Sequence, residues 1–262
     1  MRIVSLLYHD VVANEEFSSS GFRGGDADIY KLRREAFDAH LAAVSAVAHP
    51  TATDVERVLG GTPERAVLFT FDDGGVGAIR DAAPALEARG WRGLFYIATD
   101  WIGRAGFLDA AQIRELHRNG HAIGSHSCSH PTRMSHLPPA QMRAEWRDSV
   151  RRLEDLLGAP VRTASVPAGF YSRRVADAAF EGGVTILFNS EPTAAVRRVG
   201  GCTVLGRFSI MRDDPPALPG ALAAGRLAPQ LRQAAFWNAK KVVKAVGGEY
   251  WLAFRRSVLA GR

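Results

Sequence analysis

Short apolar runs alternate with stretches of helical periodicity along most of this chain. Ile3–Tyr8 is apolar apart from Ser5 and reads as a buried first strand. From Glu35 to Ala48, the residues Phe37, Leu41, Val44 and Val47 recur at helical spacing. Ala66–Phe71 predicts a second strand, running straight into Asp72-Asp73-Gly74-Gly75. A helix is expected over Ala78–Ala88 and a strand over Gly93–Ile97. Another helix, Ala110–Arg118, is closed by Gly120, and a strand over His121–Ser125 follows. Gln141–Leu157 is a long amphipathic helix with Gly158 and Pro160 behind it. Val161–Val166, Arg173–Phe180 and Val184–Phe188 carry the alternation on.

Repeated β-α units whose strands are apolar on both faces imply a largely parallel sheet with right-handed crossovers. Polar, chemically useful residues follow several different strands: His9, Asp72, His126 and Pro167. That favours a closed or distorted (β/α) barrel, which carries its chemistry on the C-terminal rim. No Gly-x-Gly-x-x-Gly follows the first strand, so a dinucleotide role has no support. Two regions break the rhythm. Asn14–Asp28, rich in Ser and Gly, is expected to be a long loop of functional or disordered character. The tail from Pro215 holds two helical stretches, Ala221–Leu227 and Pro229–Val246. Residues 1–212 are therefore expected to form the main domain and 213–262 a helical extension packed on it.

Composition adds little to fold but narrows partners. Of 262 residues 47% are hydrophobic and 23% charged, which excludes bulk disorder. The net charge of +6 is dispersed, with no run of five like charges, so it reads as a solvated surface and no nucleic-acid partner is expected. Two cysteines, Cys128 and Cys202, make neither a disulfide framework nor a zinc ribbon. The apolar start is shorter than a secretory core of about 7–15 residues, and no run approaches the roughly 18 of a membrane span. A cytoplasmic protein is the expectation, peripheral to the membrane if its tail binds there. That tail carries Lys240, Lys241, Lys244, Phe236, Trp237, Tyr250, Trp251, Phe254, Arg255 and Arg256, a membrane-surface character that a docked helix pair explains as well.

Two motifs carry chemistry. Asp72-Asp73-Gly74 places adjacent carboxylates at a strand end, where like charges repel. Alone, it reads as a solvated turn. His126-Ser127-Cys128-Ser129-His130 adds two imidazoles four residues apart, a spacing that lets both reach one point. Neutral imidazole is the commonest divalent-metal ligand. Together the motifs supply two histidines, one carboxylate and a spare carboxylate that could act as general base on water. A metal-dependent hydrolase is the reading they support.

At these residues the sequence resembles the NodB-type polysaccharide deacetylases, carbohydrate esterase family 4. The resemblance rests on Thr70–Gly74 and Gly120–Pro131, with Phe95–Gly103, Ser149–Gly158 and Pro167-Ala168-Gly169-Phe170-Tyr171-Ser172 in the same order, and extends over about Ile3 to Arg207. It implies a distorted (β/α) barrel of the NodB-homology type and hydrolysis of acetamides on N-acetylated sugars, usually N-acetylglucosamine units. It further implies Asp72 as general base, Asp73, His126 and His130 as ligands of a divalent metal, most often Zn2+, and the Ala168 backbone N–H after Pro167 as an oxyanion donor.

Two departures from the family pattern stand out. Ser165 occupies the place, two residues before Pro167, where the family often has an arginine holding the catalytic aspartate. Asp72 is then expected to lack a bidentate partner, its pKa set mainly by the metal. No histidine follows His136, although many members carry a late histidine as general acid. Leu7-Tyr8-His9-Asp10-Val11 resembles the N-terminal Tyr-His segment of the exopolysaccharide deacetylase branch, which implies the acid role for His9. Tyr8, Trp101, Phe170 and Tyr171 are candidates for stacking on sugar faces, His121 reads as structural and Cys128 as filler. Nascent exopolysaccharide or a lipid-linked sugar would suit the basic tail. An O-deacetylase, an amidase of a non-sugar substrate, and a carbohydrate-binding pseudo-enzyme are the alternatives.

Overall fold

The apolar runs become parallel strands because each is covered on both faces. The computed structural model describes residues 2–48, 59 and 65–239. Its strands are β1 (Arg2–Tyr8), β2 (Asp10–Val12), β3 (Lys31–Arg33), β4 (Arg65–Phe71), β5 (Leu94–Ile97) and β6 (Ala122–Ser125). They continue with β7 (Thr163–Ser165), β8 (Ile186–Phe188), β9 (Val196–Val199), β10 (Cys202–Leu205) and β11 (Phe208–Ser209). A nine-stranded sheet runs β11-β1-β4-β5-β6-β7-β8-β10-β9, parallel except for the β9 edge, while β2 and β3 form a separate parallel pair.

The two ends of this sheet meet through one bent segment. β10 pairs in parallel with β8, from Thr203↔Ile186 to Leu205↔Phe188. After Gly206 and Arg207 the same segment continues as β11 and pairs in parallel with β1, Leu6↔Phe208 and Leu7↔Ser209. It thereby bridges β8 and β1 and closes a distorted barrel. Strand alternation assigns side chains to the two sides of the wall. Ile3, Leu68, Leu94, Tyr96, Ile186, Phe188 and Leu205 pack together as a small inner core. Val4, Leu6, Tyr8, Phe69 and Phe71 belong to the larger core under the helices.

Those helices are α1 (Arg34–Ser45), α2 (Ala83–Glu87), α3 (Ala110–Arg118), α4 (Pro139–Leu157), α5 (Arg173–Glu181) and α6 (Leu218–Ala223). Local chemistry sets their ends. Asp109 and Gln112 form a reciprocal capping box at the start of α3, and left-handed Gly158 ends α4. The helix expected over Ala78–Ala88 opens instead as a π-helical turn, Ala78–Ala82, in which Ala83 N–H donates to Ala78 O. The helix expected over Ala221–Leu227 lies earlier, because Gly225 adopts a left-handed φ of 71° and stops it. α6 rests on α1 with Gly220 against the Ala43 carbonyl, and residues 227–239 form a further helix. The rest of the Pro229–Val246 helix and the basic tail from Lys240 lie outside the described residues. No helix among the described residues is long and apolar enough to cross a membrane.

Candidate active site

Strand ends on one rim supply every group at this site. β1 delivers His9, β4 delivers Asp72 and Asp73, β6 delivers His126, β7 delivers Ser165 and the Pro167 turn, and the β10–β11 bend delivers Arg207. Alternation decides which neighbours can take part. Tyr8 and His9 point to opposite sides of the wall. Tyr8 is 0% exposed, edge-on to Phe37 and stacked on Phe69 and Phe71. The expectation that Tyr8 stacks on a sugar is therefore corrected: its ring belongs to the helix-side core.

The backbone is bent sharply here. The non-glycine residues with positive φ among those described are Asp73 (74°), Ser127 (65°), His130 (57°) and Ala168 (53°). All four lie in the Asp72–Gly74, His126–His130 and Pro167–Ser172 segments, and such conformations are held at functional sites against a local cost. Close packing explains the glycines after Asp73. A side-chain carbon on Gly75 would lie 2.0 Å from Asp10 Oδ2, and one on Gly77 2.1 Å from Val11 O.

Asp73 Oδ1 lies 3.3 Å from Nε2 of both His126 and His130. These three residues offer one ligand atom each, all within 4.8 Å of one another. Ligands at about 2.0–2.1 Å in a tetrahedron around zinc stand about 3.3–3.4 Å apart, the separation that Asp73 Oδ1 keeps from each imidazole. Surroundings fix the donor atoms. His126 Nδ1 is 3.0 Å from Ser165 O and 2.6 Å from Ser165 Oγ, which directs Nε2 toward Asp73. Glu145 of α4 accepts from Cys128 N, Ser129 N and Ser129 Oγ at 2.9, 2.9 and 2.6 Å, and so pins the turn between the histidines. Burial disfavours the charged form of Asp73, but the imidazoles of His126 and His130 outweigh it and hold the carboxyl well below the ordinary carboxylate range. Burial likewise works against His130 as a cation, and Asp73 overturns it, raising His130 above the usual imidazole value.

Asp72 has the partner that the sequence reading denied it. Arg207 Nη1 and Nη2 donate to Asp72 Oδ1 and Oδ2 at 2.6 and 2.7 Å, a bidentate fork. Ser165 Oγ donates to Oδ1 at 3.0 Å. Arg207 is 0% exposed and also donates through Nε to Asn189 O at 3.1 Å. An arginine reaching in from the barrel seam thus replaces one that would stand at Ser165. Burial alone would raise the Asp72 pKa; Arg207 first and His126 next overcome that and keep it below the ordinary value. Asp72 Oδ2 stands 4.0 Å from His126 Nε2, beside the three candidate metal ligands and outside that group.

His9 borders the same cluster. Burial lowers its pKa, against the pull of the nearby Asp73 and Asp72 carboxylates, and its ring stacks on Tyr30 at 4.6 Å. Its Nδ1 is enclosed without a hydrogen-bond partner among the described residues. Ala168 is exposed on the loop after buried Pro167. Trp101 is half-buried, edge-on to Phe22 at 4.7 Å, and Phe170 is edge-on to His136. Tyr171 packs toward the helix-side core. His121 is structural: Nδ1 accepts from Gly93 N and Nε2 meets Glu87.

Sequence reasoning missed Arg207, Glu145 and the brace formed by Ser165. Arg207 did leave a signal, a lone arginine inside the apolar run Cys202–Ile210. Asp10 was missed as well. Its carboxyl is 3% exposed, accepts from Val11 N at 2.9 Å, and is pushed up to about 7 by burial, against the opposing effects of Ser20, Val11 N–H and Lys31. Between about pH 4 and pH 7 the unfolded chain therefore loses a proton that the folded chain keeps, and stability falls as pH rises. Asp10→Asn removes this slope. Its stability relative to the parent should grow by roughly 2–4 kcal/mol from pH 4 to pH 8. Urea unfolding at several pH values measures the difference, and parallel curves would contradict the assignment.

Comparison with known proteins agrees with this fold. The polysaccharide deacetylase family model matches residues 60–187. YxkH of Bacillus subtilis (strain 168), assigned to the same family, is 28% identical over 204 residues, covering 76% of this chain and 68% of that protein. IcaB from Ammonifex degensii has a similar fold, with TM-score 0.69 and 24% identity over 85% of this chain and 97% of that one. So does the Streptococcus pyogenes deacetylase PplD, with TM-score 0.66 and 20% identity over 82% and 95%. Over residues 60–187, just under half of its length, the chain is similar to the polysaccharide deacetylase family.

Proposed function

We propose that this protein is a metal-dependent deacetylase that hydrolyses acetamide groups of N-acetylated sugars, N-acetylglucosamine-containing polymers or glycolipids foremost. One observation carries the reading: Asp73, His126 and His130 present three donors within 4.8 Å of one another, Asp73 Oδ1 3.3 Å from each imidazole, beside the Asp72 carboxylate, which is held by Arg207 and left out of the trio. A divalent ion there, zinc above all, would supply Lewis acidity to the acetamide carbonyl and acidity to a water molecule. Asp72, kept anionic by Arg207, takes the proton of the attacking water. Ala168 N–H donates to the oxyanion as it develops. His9, at the same rim, delivers a proton to the departing amine. Trp101 and Phe170 border the sugar.

Residues 1–212 are assigned to the catalytic barrel and 213–262 to the extension, whose Gln233 Nε2 donates to Ser209 O at 2.9 Å. An arginine on Asp72 also disfavours the pseudo-enzyme reading, since a binder has no use for an oriented base. Acetate release from chitooligosaccharides, lost on chelation and restored by Zn2+, is the expected result. In the same assay His9→Ala should keep its zinc and lose about 100-fold or more in kcat. Acetate release from O-acetylated sugars alone would redirect the assignment to an O-deacetylase.

A further inference from the structure

The excursion between β2 and β3 is anchored far more firmly than a surface connection needs. Lys31, only 2% exposed, sends its ammonium to the carbonyls of Phe17 and Phe22 and to Asp28 Oδ1 at 2.9 Å. Burying an ammonium is costly unless its donors are satisfied, and here the satisfied donors tie three points of the excursion together. Gly21 N donates to Gly106 O at 2.8 Å, and Gly77 N donates to Ser20 Oγ at 2.7 Å, so the excursion is also fastened to the loop after Trp101 and to the turn that follows Asp73.

What this clasp positions is aromatic. The Phe22 ring lies 4.6 Å from the ring of His130, tilted by 38°. It meets Trp101 at 4.7 Å and Phe107 at 5.0 Å, both edge-on. Exposed Arg104 lies over Trp101 at 4.6 Å. Tyr30, from the far end of the same excursion, stacks on His9. One segment thus touches the ring of a metal-ligand candidate and the ring of the acid candidate. Phe22 and Trp101 remain half-exposed beside them, with a guanidinium at their outer edge.

We propose that this excursion is the sugar-side wall of the cleft: Phe22, continued by Trp101, offers an apolar face on which the C–H side of the acetylated hexosamine ring rests beside His130, and Lys31 is the positioning residue that holds the wall in place. The proposal builds on the deacetylase reading and names the residue that reads the sugar. A hexosamine ring stacked there sets its acetamide toward the trio, whereas a small acetyl ester has no ring to place.

The test compares two substrates on the zinc-loaded full chain, a chitooligosaccharide of defined length and the ringless ester 2,2,2-trifluoroethyl acetate. Phe22→Ala is expected to raise KM for the oligosaccharide about 5- to 10-fold, with kcat changed much less, and to affect the oligosaccharide far more than the ester. Phe22→Trp should restore most of the loss, and Lys31→Met should raise the oligosaccharide KM in the same direction. An equal loss on both substrates together with lost zinc would make Phe22 a brace for His130 and overturn the wall. An oligosaccharide KM within twofold of the parent would overturn it as well. Should the parent protein cleave the ester and leave every acetylated sugar intact, the deacetylase reading fails first, an outcome distinct from an active parent with an indifferent Phe22→Ala variant.

Discussion

Arg207→Met should destabilise the fold by about 3–5 kcal/mol and cut turnover of an acetylated sugar about 100-fold or more. The reason lies in the burial of the pair. Arg207 is fully enclosed and Asp72 nearly so, and their two short hydrogen bonds satisfy both charges. Removing the guanidinium leaves a carboxylate with Ser165 Oγ as its remaining strong donor. Burial then pushes the Asp72 pKa upward, so that the base form becomes scarcer near neutrality. Part of the lost activity should therefore return as pH is raised. Arg207→Lys keeps a charge but loses the planar fork, and should fall between parent and Met variant. Urea unfolding with pH–rate profiles reads both effects. A Met variant within about 1 kcal/mol of the parent, with an unchanged pH profile, would show that the pair neither holds the barrel seam nor tunes the base.

Asp72→Asn should lower kcat by about 100- to 10,000-fold while zinc binding stays stoichiometric. The amide keeps the shape of the carboxylate and cannot take a proton. The donors Asp73, His126 and His130 remain, so metal content separates the base role from a ligand role. Loss of zinc in this variant would move Asp72 into the ligand set. Activity within tenfold of the parent would pass the base role to another group. Combined with Arg207→Met, the asparagine should recover part of the lost stability, because the arginine and the buried charge it compensates disappear together.

Several parts of this account were legible in the chain itself, each because a local pattern fixed it. The apolar runs at Ile3–Tyr8 and Ala66–Phe71 are strands since residues buried on both faces have one economical arrangement, the parallel sheet. The helix expected over Ala110–Arg118 is α3 itself, and in the structure Asp109 and Gln112 hold its start by satisfying each other's backbone groups. The paired histidines and paired aspartates were visible because metal chemistry demands those side chains at short spacing. Strands β2, β3, β9, β10 and β11 were not foreseen. They are short, and polar Asp10, Lys31, Arg197 and Arg198 within them blur any periodicity.

What the sequence determined by itself was the chemistry available: two carboxylates and two imidazoles at strand ends, and an alternation that builds a parallel β/α wall. Only the tertiary structure decided who serves whom. Arg207 lies 135 residues from Asp72 along the chain, yet closure of the barrel through the β10–β11 bend brings the guanidinium onto the carboxylate. Tyr8 and His9 are neighbours in sequence, and the pleat sends one to the core and the other to the rim. Lys31 and Phe22 meet because an excursion folds back on itself. Local patterns record what each residue can do, whereas long-range contacts depend on ring closure, a property that no short window of the chain contains.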